Sequence, residues 1–307
     1  MVGYTGFVGS NLKESYNFAD LYNSKNIQDA YGTEPDLLVY AGLPAAMFKA
    51  NANPDADFMD ILKAIENIKS IAPKQVVMIS SVAVYDKTYD VDETHKINES
   101  VLLPYGKNRL YLEKWVAEHF SNSLIVRLPS IYGINLKKNF IYDYINVIPT
   151  MLNKRKYQKL AKESELIENA YTMDNEEFYY FSAIGEEKRK VYEYFCSASF
   201  NAISFTDSRS VYQFYNLKRL WSDIQIALQS GIKLLNIVTE PVSVAEIYKY
   251  LSGEDFINEL PKSPYNYDVK SIHAELFRGM NGYLSSKSDE LVDLKMYVDE
   301  EKKRVWE

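Results

Sequence analysis

A tyrosine and an arginine four positions apart are the residues of this sequence best suited to acid–base chemistry. Tyr105 and Arg109 fall on a predicted helix, where this spacing places two side chains on one face. A free tyrosine has a pKa of about 10, and a fixed cation nearby lowers it by stabilising the phenolate. The pair therefore predicts a proton donor and acceptor tuned by a guanidinium. The alternative is an exposed pair without a catalytic role.

Ser81 follows an apolar run, Gln75 to Ile79, that predicts a buried strand. Ligands of open α/β sheets bind at the carboxyl ends of the strands, so Ser81 stands where a reacting group would lie. The alternative is that a serine here only satisfies backbone groups at the strand end, and we assign that role to Ser80.

Three glycines at the start of the chain predict a phosphate-binding turn. Gly3, Gly6 and Gly9 precede or open a helix predicted over 7–15. At this spacing the first glycine allows a tight turn, the second lets backbone N–H groups approach a dinucleotide pyrophosphate, and the third lets the helix pack on the sheet. The alternative is a loop that merely requires glycine.

These three segments together resemble the extended short-chain dehydrogenase/reductase family of NAD(P)-dependent nucleotide-sugar epimerases, dehydratases and reductases. The resemblance is carried by Gly3-x-x-Gly-x-x-Gly9, Ser80-Ser-Val-Ala-Val-Tyr85 and Tyr105-Gly-Lys-Asn-Arg109. It is strong over residues 1–135 and weaker afterwards. It implies an α/β fold, a doubly wound parallel (Rossmann) sheet, with a smaller, mostly helical substrate domain.

The resemblance also implies catalytic roles for Ser81, Tyr105 and Arg109. Tyr105 matches the family's general acid/base, and Ser81 matches the residue that hydrogen-bonds the reacting oxygen. Arg109 stands where the family has a lysine that also holds the nicotinamide ribose; arginine keeps the charge but is planar and bulkier, so its positioning role is in question. Lys107 points off this face and cannot substitute for it.

The residues after Ser81 narrow the reaction. Sugar dehydratases of the family carry Asp-Glu there, whereas this chain has Val82-Ala83, which cannot titrate. Epimerisation by oxidation and re-reduction at one carbon, or net reduction of a keto-sugar, therefore remain. A dinucleotide-binding sensor without turnover is the alternative from another class, and Arg109 keeps it open.

The resemblance implies a nicotinamide dinucleotide as cofactor. The end of the second predicted strand, Tyr22 to Lys25, carries no acid for the adenosine ribose, and its Asn, Ser and Lys could hold a 2′-phosphate, so we expect NADP, with NAD the alternative. The residues expected to contact the cofactor are Gly3, Thr5, Gly6, Phe7, Val8, Gly9, Asn23, Ser24, Lys25, Ala41, Gly42, Tyr105, Arg109, Leu128 and Ser130.

Composition excludes several partners. A net charge of −7 argues against a nucleic-acid or anionic-membrane surface, and no apolar run is long enough for a membrane span. One cysteine, Cys196, and three dispersed histidines indicate neither a disulfide framework nor a metal site. We expect a cytoplasmic protein with a nucleotide-sugar substrate. The resemblance implies a homodimer formed through the helix of Tyr105 and the helix before it, where Phe58, Leu112, Trp115 and Val116 either form the contact or pack on the sheet.

Alternating strands and helices predict how these residues are positioned. The resemblance implies a dinucleotide-binding domain over 1–135 and 206–239 and a substrate domain over 136–205 and 240–307, and the pattern of elements fits this division. Strands are expected over 18–22, 36–40, 75–79, 123–128, 211–215 and 232–238, and 137–200 is expected to be mostly helical. Only Met1 and Val2 precede the first glycine, whereas the central strand of such a sheet has about five residues, so we expect a few further residues upstream; the alternative is a central strand reduced to a stub.

Overall fold

The computed structural model of the chain describes residues 1–174 and 178–304. Its α-helices are α1 (Phe7–Ser15), α2 (Met47–Ala52), α3 (Pro54–Ile71), α4 (Pro104–His119), α5 (Phe140–Asn146), α6 (Lys154–Glu163), α7 (Glu165–Ala170), α8 (Gly185–Ser197), α9 (Leu220–Gln229), α10 (Val244–Ser252) and α11 (Lys287–Arg304). Its strands are β1 (Leu38–Tyr40), β2 (Val76–Ser81), β3 (Tyr89–Val91), β4 (Ser123–Leu128), β5 (Ser130–Tyr132), β6 (Met151–Asn153), β7 (Tyr171–Asp174), β8 (Phe178–Phe181), β9 (Val211–Tyr212), β10 (Phe214–Asn216), β11 (Leu234–Asn236), β12 (Val242–Ser243) and β13 (Asp268–Val269).

A parallel sheet organises the first part of the chain. Its strands stand in the order β1-β2-β4-β11, all parallel. Val2 extends it beside β1, through parallel bridges to Tyr40 on one side and Tyr22 on the other. From Val2 the chain adds first Tyr22 on one side and then β1, β2, β4 and β11 on the other. The order therefore reverses between Val2 and β1, which is where ligands bind in such sheets.

Helices cover both faces of this sheet, because alternate strand residues enter two separate cores. One core joins one face of the sheet to α1 and α9, and includes Val39, Val77, Leu124, Val126, Leu12, Leu220 and Ile224. The other joins the opposite face to α3 and α4, and includes Leu38, Val76, Met78, Ile61, Ile65, Ile68, Leu112, Trp115 and Val116. The predicted doubly wound α/β fold is confirmed.

The chain divides into two compact units. The first contains Met1–Leu136, Val211–Ser243 and Tyr265–Leu294, and the second Lys137–Ser210, Val244–Pro264 and Lys295–Glu307. The sequence pattern assigned all of 240–307 to the substrate domain, whereas 265–294 lies in the unit that contains the parallel sheet. The cause is strand pairing, because Asp268 and Val269 of β13 pair with Tyr89 and Val91 of β3.

The second unit is built from helices and one small sheet. Its antiparallel strands stand in the order β6-β8-β7, a sheet that the sequence did not predict within the helical segment 137–200. These strands have three or four residues each, too short to give a readable alternation of apolar and polar positions. The rings of Tyr157 and Tyr179 stack at 3.6 Å between centroids, so they add to this unit's core.

Several predicted strands differ from the observed ones. Residues 18–22 were expected to form a strand, but among them Tyr22 alone forms a bridge to the sheet, at Val2, while the Asp20 carbonyl oxygen accepts from the Met1 amine at 2.7 Å. The strand expected over 211–215 is interrupted at Gln213, whose buried amide donates to the carbonyl oxygens of Thr239 and Val269 at 2.6 and 2.8 Å. Within residues 1–174 and 178–304, no helix has the length and apolar character to cross a membrane.

Candidate active site

A cleft opens at the point where strand order reverses. Its volume is about 340 Å³, and the turn before α1, the loop after β1 and one side of α3 surround it. Seven of the residues expected to bind a cofactor line it: Gly3, Thr5, Gly6, Asn23, Ser24, Ala41 and Gly42. The segments that the glycine pattern singled out therefore meet at one place in the fold.

Two of the three glycines are required by the packing of the turn itself. Gly3 has a φ of +91°, and a Cβ there would overlap the Ala41 carbonyl. A Cβ on Gly9 would overlap the Gly3 carbonyl, so the helix could not approach the turn as closely. The first glycine thus allows the turn, and the third lets α1 pack closely behind it, as the spacing predicted.

Gly6 differs, because its side faces the cleft. A Cβ there would meet only the Gly3 carbonyl oxygen, at 3.4 Å, so the space in front of it is open. Gly6 is the N-cap of α1, and no side chain caps this helix. The first N–H groups of a helix lack partners within it and favour an anion. These features fit a pyrophosphate at the start of α1.

The adenosine end of such a ligand would meet polar groups of mixed charge. Asn23 and Ser24 line the cleft, but Lys25 is exposed and lies outside its lining. Two exposed side chains of α3, Asp60 and Lys63, line the cleft instead. Sequence reasoning missed them, because a charged residue on the outer face of an amphipathic helix gives no signal of a ligand.

The remaining residues of the predicted set lie elsewhere. Phe7, Val8 and Gly9 form the first turn of α1, and Leu128 is buried in a core. None of these four is among the described residues that line the cleft. Ser130 lines a smaller cavity of about 90 Å³, together with Met47, Ser81, Val82, Ala83, Pro129, Gln213 and Tyr267.

Ser81 ends β2 at the edge of this smaller cavity. Its hydroxyl accepts the Ala83 N–H at 3.2 Å, which begins a short 3₁₀ turn over Val82–Val84. The turn lies against α4, because a Cβ on Gly106 would overlap the Ala83 carbonyl. Gly106 therefore lets α4 bring the neighbouring Tyr105 to the end of β2, a role that the sequence pattern did not reveal.

Tyr105 is buried beside Ser81 and Arg109, with 8% of its surface exposed. Burial raises its pKa above the usual value, the Arg109 charge and hydrogen bonding to Arg109 and Ser81 act to lower it, and the Asp57 charge acts to raise it. The Arg109 guanidinium carbon lies 4.2 Å from the centroid of the Tyr105 ring. The structure therefore brings Ser81, Tyr105 and Arg109 together.

Arg109 is 2% exposed and fully engaged by the protein. Its guanidinium forms an ion pair with Asp57 of α3 and donates to the Pro44 carbonyl oxygen at 2.6 Å. Asn108 also donates to the Asp57 carboxylate, at 2.9 Å. No sequence signal joined Asp57 to Arg109, because the two residues lie 52 positions apart on different helices. Lys107 is exposed, as its position on the helix predicted.

A second buried ion pair stands one turn further along α4. Glu113 accepts from the Arg127 guanidinium at 2.5 and 3.1 Å, and both side chains are almost fully buried. Ser80 was expected to satisfy backbone groups, but its hydroxyl donates to Glu113 at 2.5 Å. The prediction for Ser80 is wrong, because a buried carboxylate with spare acceptor capacity accepts its hydroxyl proton.

Comparison with known proteins gives one family match. The sequence model of the NAD dependent epimerase/dehydratase family matches residues 1–173. A comparison with curated protein sequences finds no match.

Solved structures with the same fold cover nearly the whole chain. A dTDP-4-dehydrorhamnose reductase from Bacillus anthracis in complex with NADP is 15% identical with a TM-score of 0.61, and the match covers 97% of this chain and 96% of that one. A UDP-N-acetylglucosamine 4-epimerase from Methanobrevibacter ruminantium is 14% identical with a TM-score of 0.60 over 97% and 96%. A UDP-glucose-4-epimerase from Stenotrophomonas maltophila with bound NAD is 12% identical, with a TM-score of 0.60 over 99% and 97%. At these identities the likeness shows a shared fold.

Proposed function

The chain belongs to the NAD dependent epimerase/dehydratase family, and from this membership we propose that it is an NAD(P)-dependent reductase or epimerase of a nucleotide-activated sugar. The observation that carries the proposal is the arrangement at the carboxyl edge of one sheet: a glycine-lined cleft open for a pyrophosphate, with Ser81 and Tyr105 at the end of β2. Structures of the same fold that contain NADP or NAD support a nicotinamide cofactor.

Different residues of the cleft would bind different parts of this cofactor. The N–H groups at the start of α1 and the bare backbone at Gly6 would bind the pyrophosphate. The loop at Ala41 and Gly42 would lie along the dinucleotide beside the turn. When bound, the nicotinamide supplies or takes up the hydride that the sugar carbon exchanges.

The proton in the reaction is assigned to Tyr105. Its phenol would give a proton to a carbonyl oxygen during reduction, or take one from a hydroxyl during oxidation, and Ser81 would hold the same oxygen by a hydrogen bond. Val82 and Ala83 offer no second acid or base next to Ser81. The proposal therefore keeps to oxidation and reduction at one carbon and excludes dehydration.

We assign NADP as the preferred dinucleotide. The residues that follow Tyr22 in the cleft, Asn23 and Ser24, carry no carboxylate that would repel a 2′-phosphate. Lys63 adds a cation to the same cleft. Asp60 on the same helix is the feature that favours NAD, since a carboxylate can bind the two hydroxyls of an adenosine ribose.

We also propose a homodimer through α3 and α4. Leu112, Trp115 and Val116 are buried in the core against the sheet, which leaves the contact to other side chains. Met59 and Tyr111 are 62% and 47% exposed on the two helices. A molar mass from light scattering at twice the chain mass, reduced by Met59→Glu, would support this contact.

The test of the proposed function is oxidation of NADPH by 4-keto sugar nucleotides. We expect turnover by the wild-type protein, and its loss with retained NADPH affinity in Tyr105→Phe. A sensor is the second candidate, because Asp57 and Pro44 engage the guanidinium of Arg109 and keep it from a ribose. Tight NADPH binding without turnover over a panel of sugar nucleotides would favour the sensor.

A further inference from the structure

The charge beside Tyr105 is paired inside the protein rather than left free for a ligand. Arg109 and Asp57 have side chains 2% and 5% exposed, and they form an ion pair between α4 and α3. Buried charges require such partners, because an isolated ion loses its hydration. Asn108 donates a further hydrogen bond to Asp57, and the Pro44 carbonyl accepts from Arg109, so two further hydrogen bonds hold the pair in place.

We propose that Asp57 is a positioning residue for the acid–base group of this site: it fixes the Arg109 guanidinium against the Tyr105 ring and cancels its charge, so that Tyr105 is kept as a protonated phenol that donates to a carbonyl oxygen. This inference rests on the proposed function and assigns it a substrate class, the keto form of a nucleotide-activated sugar. In the balanced step, the carbonyl carbon gains a hydride from the reduced nicotinamide dinucleotide, the oxygen gains the phenol proton, and the phenolate regains a proton from solvent.

The groups that act on Tyr105 come from four elements. Arg109 of its own helix carries a positive charge and Asp57 of α3 a negative one. The end of β2 contributes the uncharged Ser81 hydroxyl, and α2 contributes the uncharged amide of Asn51, which accepts the Tyr105 N–H at 3.0 Å. Removal of Asp57 alone would leave a positive charge facing the phenol, whereas removal of both charged partners would restore neutrality.

The first test titrates Tyr105 without cofactor or substrate. Tyrosines labelled with ¹³C at Cζ report ionisation by NMR, and the resonance absent from Tyr105→Phe identifies this residue. We expect Asp57→Asn to lower the pKa of Tyr105 by about one unit or more, the effect of an uncompensated charge at this range. Asp55→Asn removes the same charge from an exposed position in the same helical turn and should leave it unchanged. An unchanged or raised value in Asp57→Asn would overturn the inference.

A double variant keeps the inference testable if Asp57→Asn does not fold. Asp57→Asn combined with Arg109→Met leaves no unpaired buried charge. We expect the pKa of Tyr105 in this variant not to fall below the wild-type value, since the two opposing charges are removed together and the Arg109 hydrogen bond that lowers this pKa is also lost. A pKa lowered by more than about half a unit in the double variant would contradict charge cancellation.

Kinetics separate this inference from the proposed function. If the enzyme reduces keto-sugar nucleotides, the wild-type rate should stay level from neutral pH to at least about pH 9, below the usual tyrosine range, and the fall in rate at high pH should begin at least about one unit lower in Asp57→Asn than in the wild type. Turnover with identical pH profiles in both proteins would overturn the role of Asp57 and leave the function standing. If the NMR titration shifts in Asp57→Asn but no sugar nucleotide is turned over, the role of Asp57 would stand and the proposed reductase activity would be refuted.

Discussion

Alanine substitutions at Gly6 and at Gly9 should affect different properties, ligand binding at the first position and folding at the second. Alanine at position 6 has an allowed backbone, with φ −78° and ψ 171°, and its methyl group meets only the Gly3 carbonyl oxygen at 3.4 Å. Reduced chain entropy in the unfolded state favours Gly6→Ala by about 0.4–1 kcal/mol. The poorer N-cap opposes it by a similar amount, up to about 1 kcal/mol. We therefore expect the free energy of unfolding without ligand to change by less than about 1 kcal/mol.

Binding should respond strongly, because that methyl group fills the place of an approaching phosphate. Loss of one charge-assisted hydrogen bond costs about 1.5–3 kcal/mol. This corresponds to a Kd for NADPH raised roughly ten- to a hundredfold. Gly9→Ala should instead destabilise the protein itself. Its Cβ overlaps the Gly3 carbonyl, which lowers the free energy of unfolding by about 1–3 kcal/mol or more before any ligand is added.

Two measurements on both variants decide the matter: urea unfolding without ligand, and NADPH titration followed by cofactor fluorescence. Wild-type affinity in a folded Gly6→Ala would refute a pyrophosphate over Gly6. Wild-type stability in Gly9→Ala would refute the packing argument for the third glycine.

Three further outcomes follow from the site. Tyr105→Phe should reduce turnover by at least about a hundredfold with Kd for NADPH within about threefold, since general acid–base catalysis contributes about 10²–10⁴ in rate; near wild-type turnover removes the phenol from the mechanism. Lys63→Met should weaken NADPH about tenfold and NADH little, with Lys25→Met, a cation outside the cleft, as its control; equal losses for both dinucleotides would contradict a 2′-phosphate contact. Glu113→Gln should lower the free energy of unfolding by about 3–5 kcal/mol, because Arg127 is left buried without its carboxylate; a loss below about 1 kcal/mol in urea would show that the pair is solvated.

The sequence predicted those parts of the fold that local patterns determine. The strand over 123–128 and the helix over 7–15 were predicted at their observed bounds, because apolar runs and glycine spacing act over a few residues. The strand expected over 18–22 fails, since its apolar pattern is poor and only Tyr22 finds a partner in Val2. Pairing of β13 with β3 could not be foreseen, because the two segments lie far apart in sequence and each is very short.

The candidate site was predictable in its residue types and not in its charge balance. The spacing of Tyr105 and Arg109 on one helical face is a local property, and the ring and guanidinium do meet. The partner of Arg109 comes from another helix, and a sequence does not show which carboxylate a tertiary fold will bury. The same limit hid Lys63, whose relation to the cleft depends on how α3 packs beside β1.

The short rim of the sheet beyond Val2 bears on how the protein stays dispersed in a crowded cell. On this side the pairing ends at Tyr22, which joins through one bridge. The backbone groups beside Tyr22 are engaged within the chain, since the Leu21 carbonyl oxygen accepts from the Asn26 side-chain amide at 3.1 Å and the Asn23 N–H donates to that amide's oxygen at 2.7 Å, so this rim is a poor template for the edge-to-edge association from which amyloid-like aggregates grow.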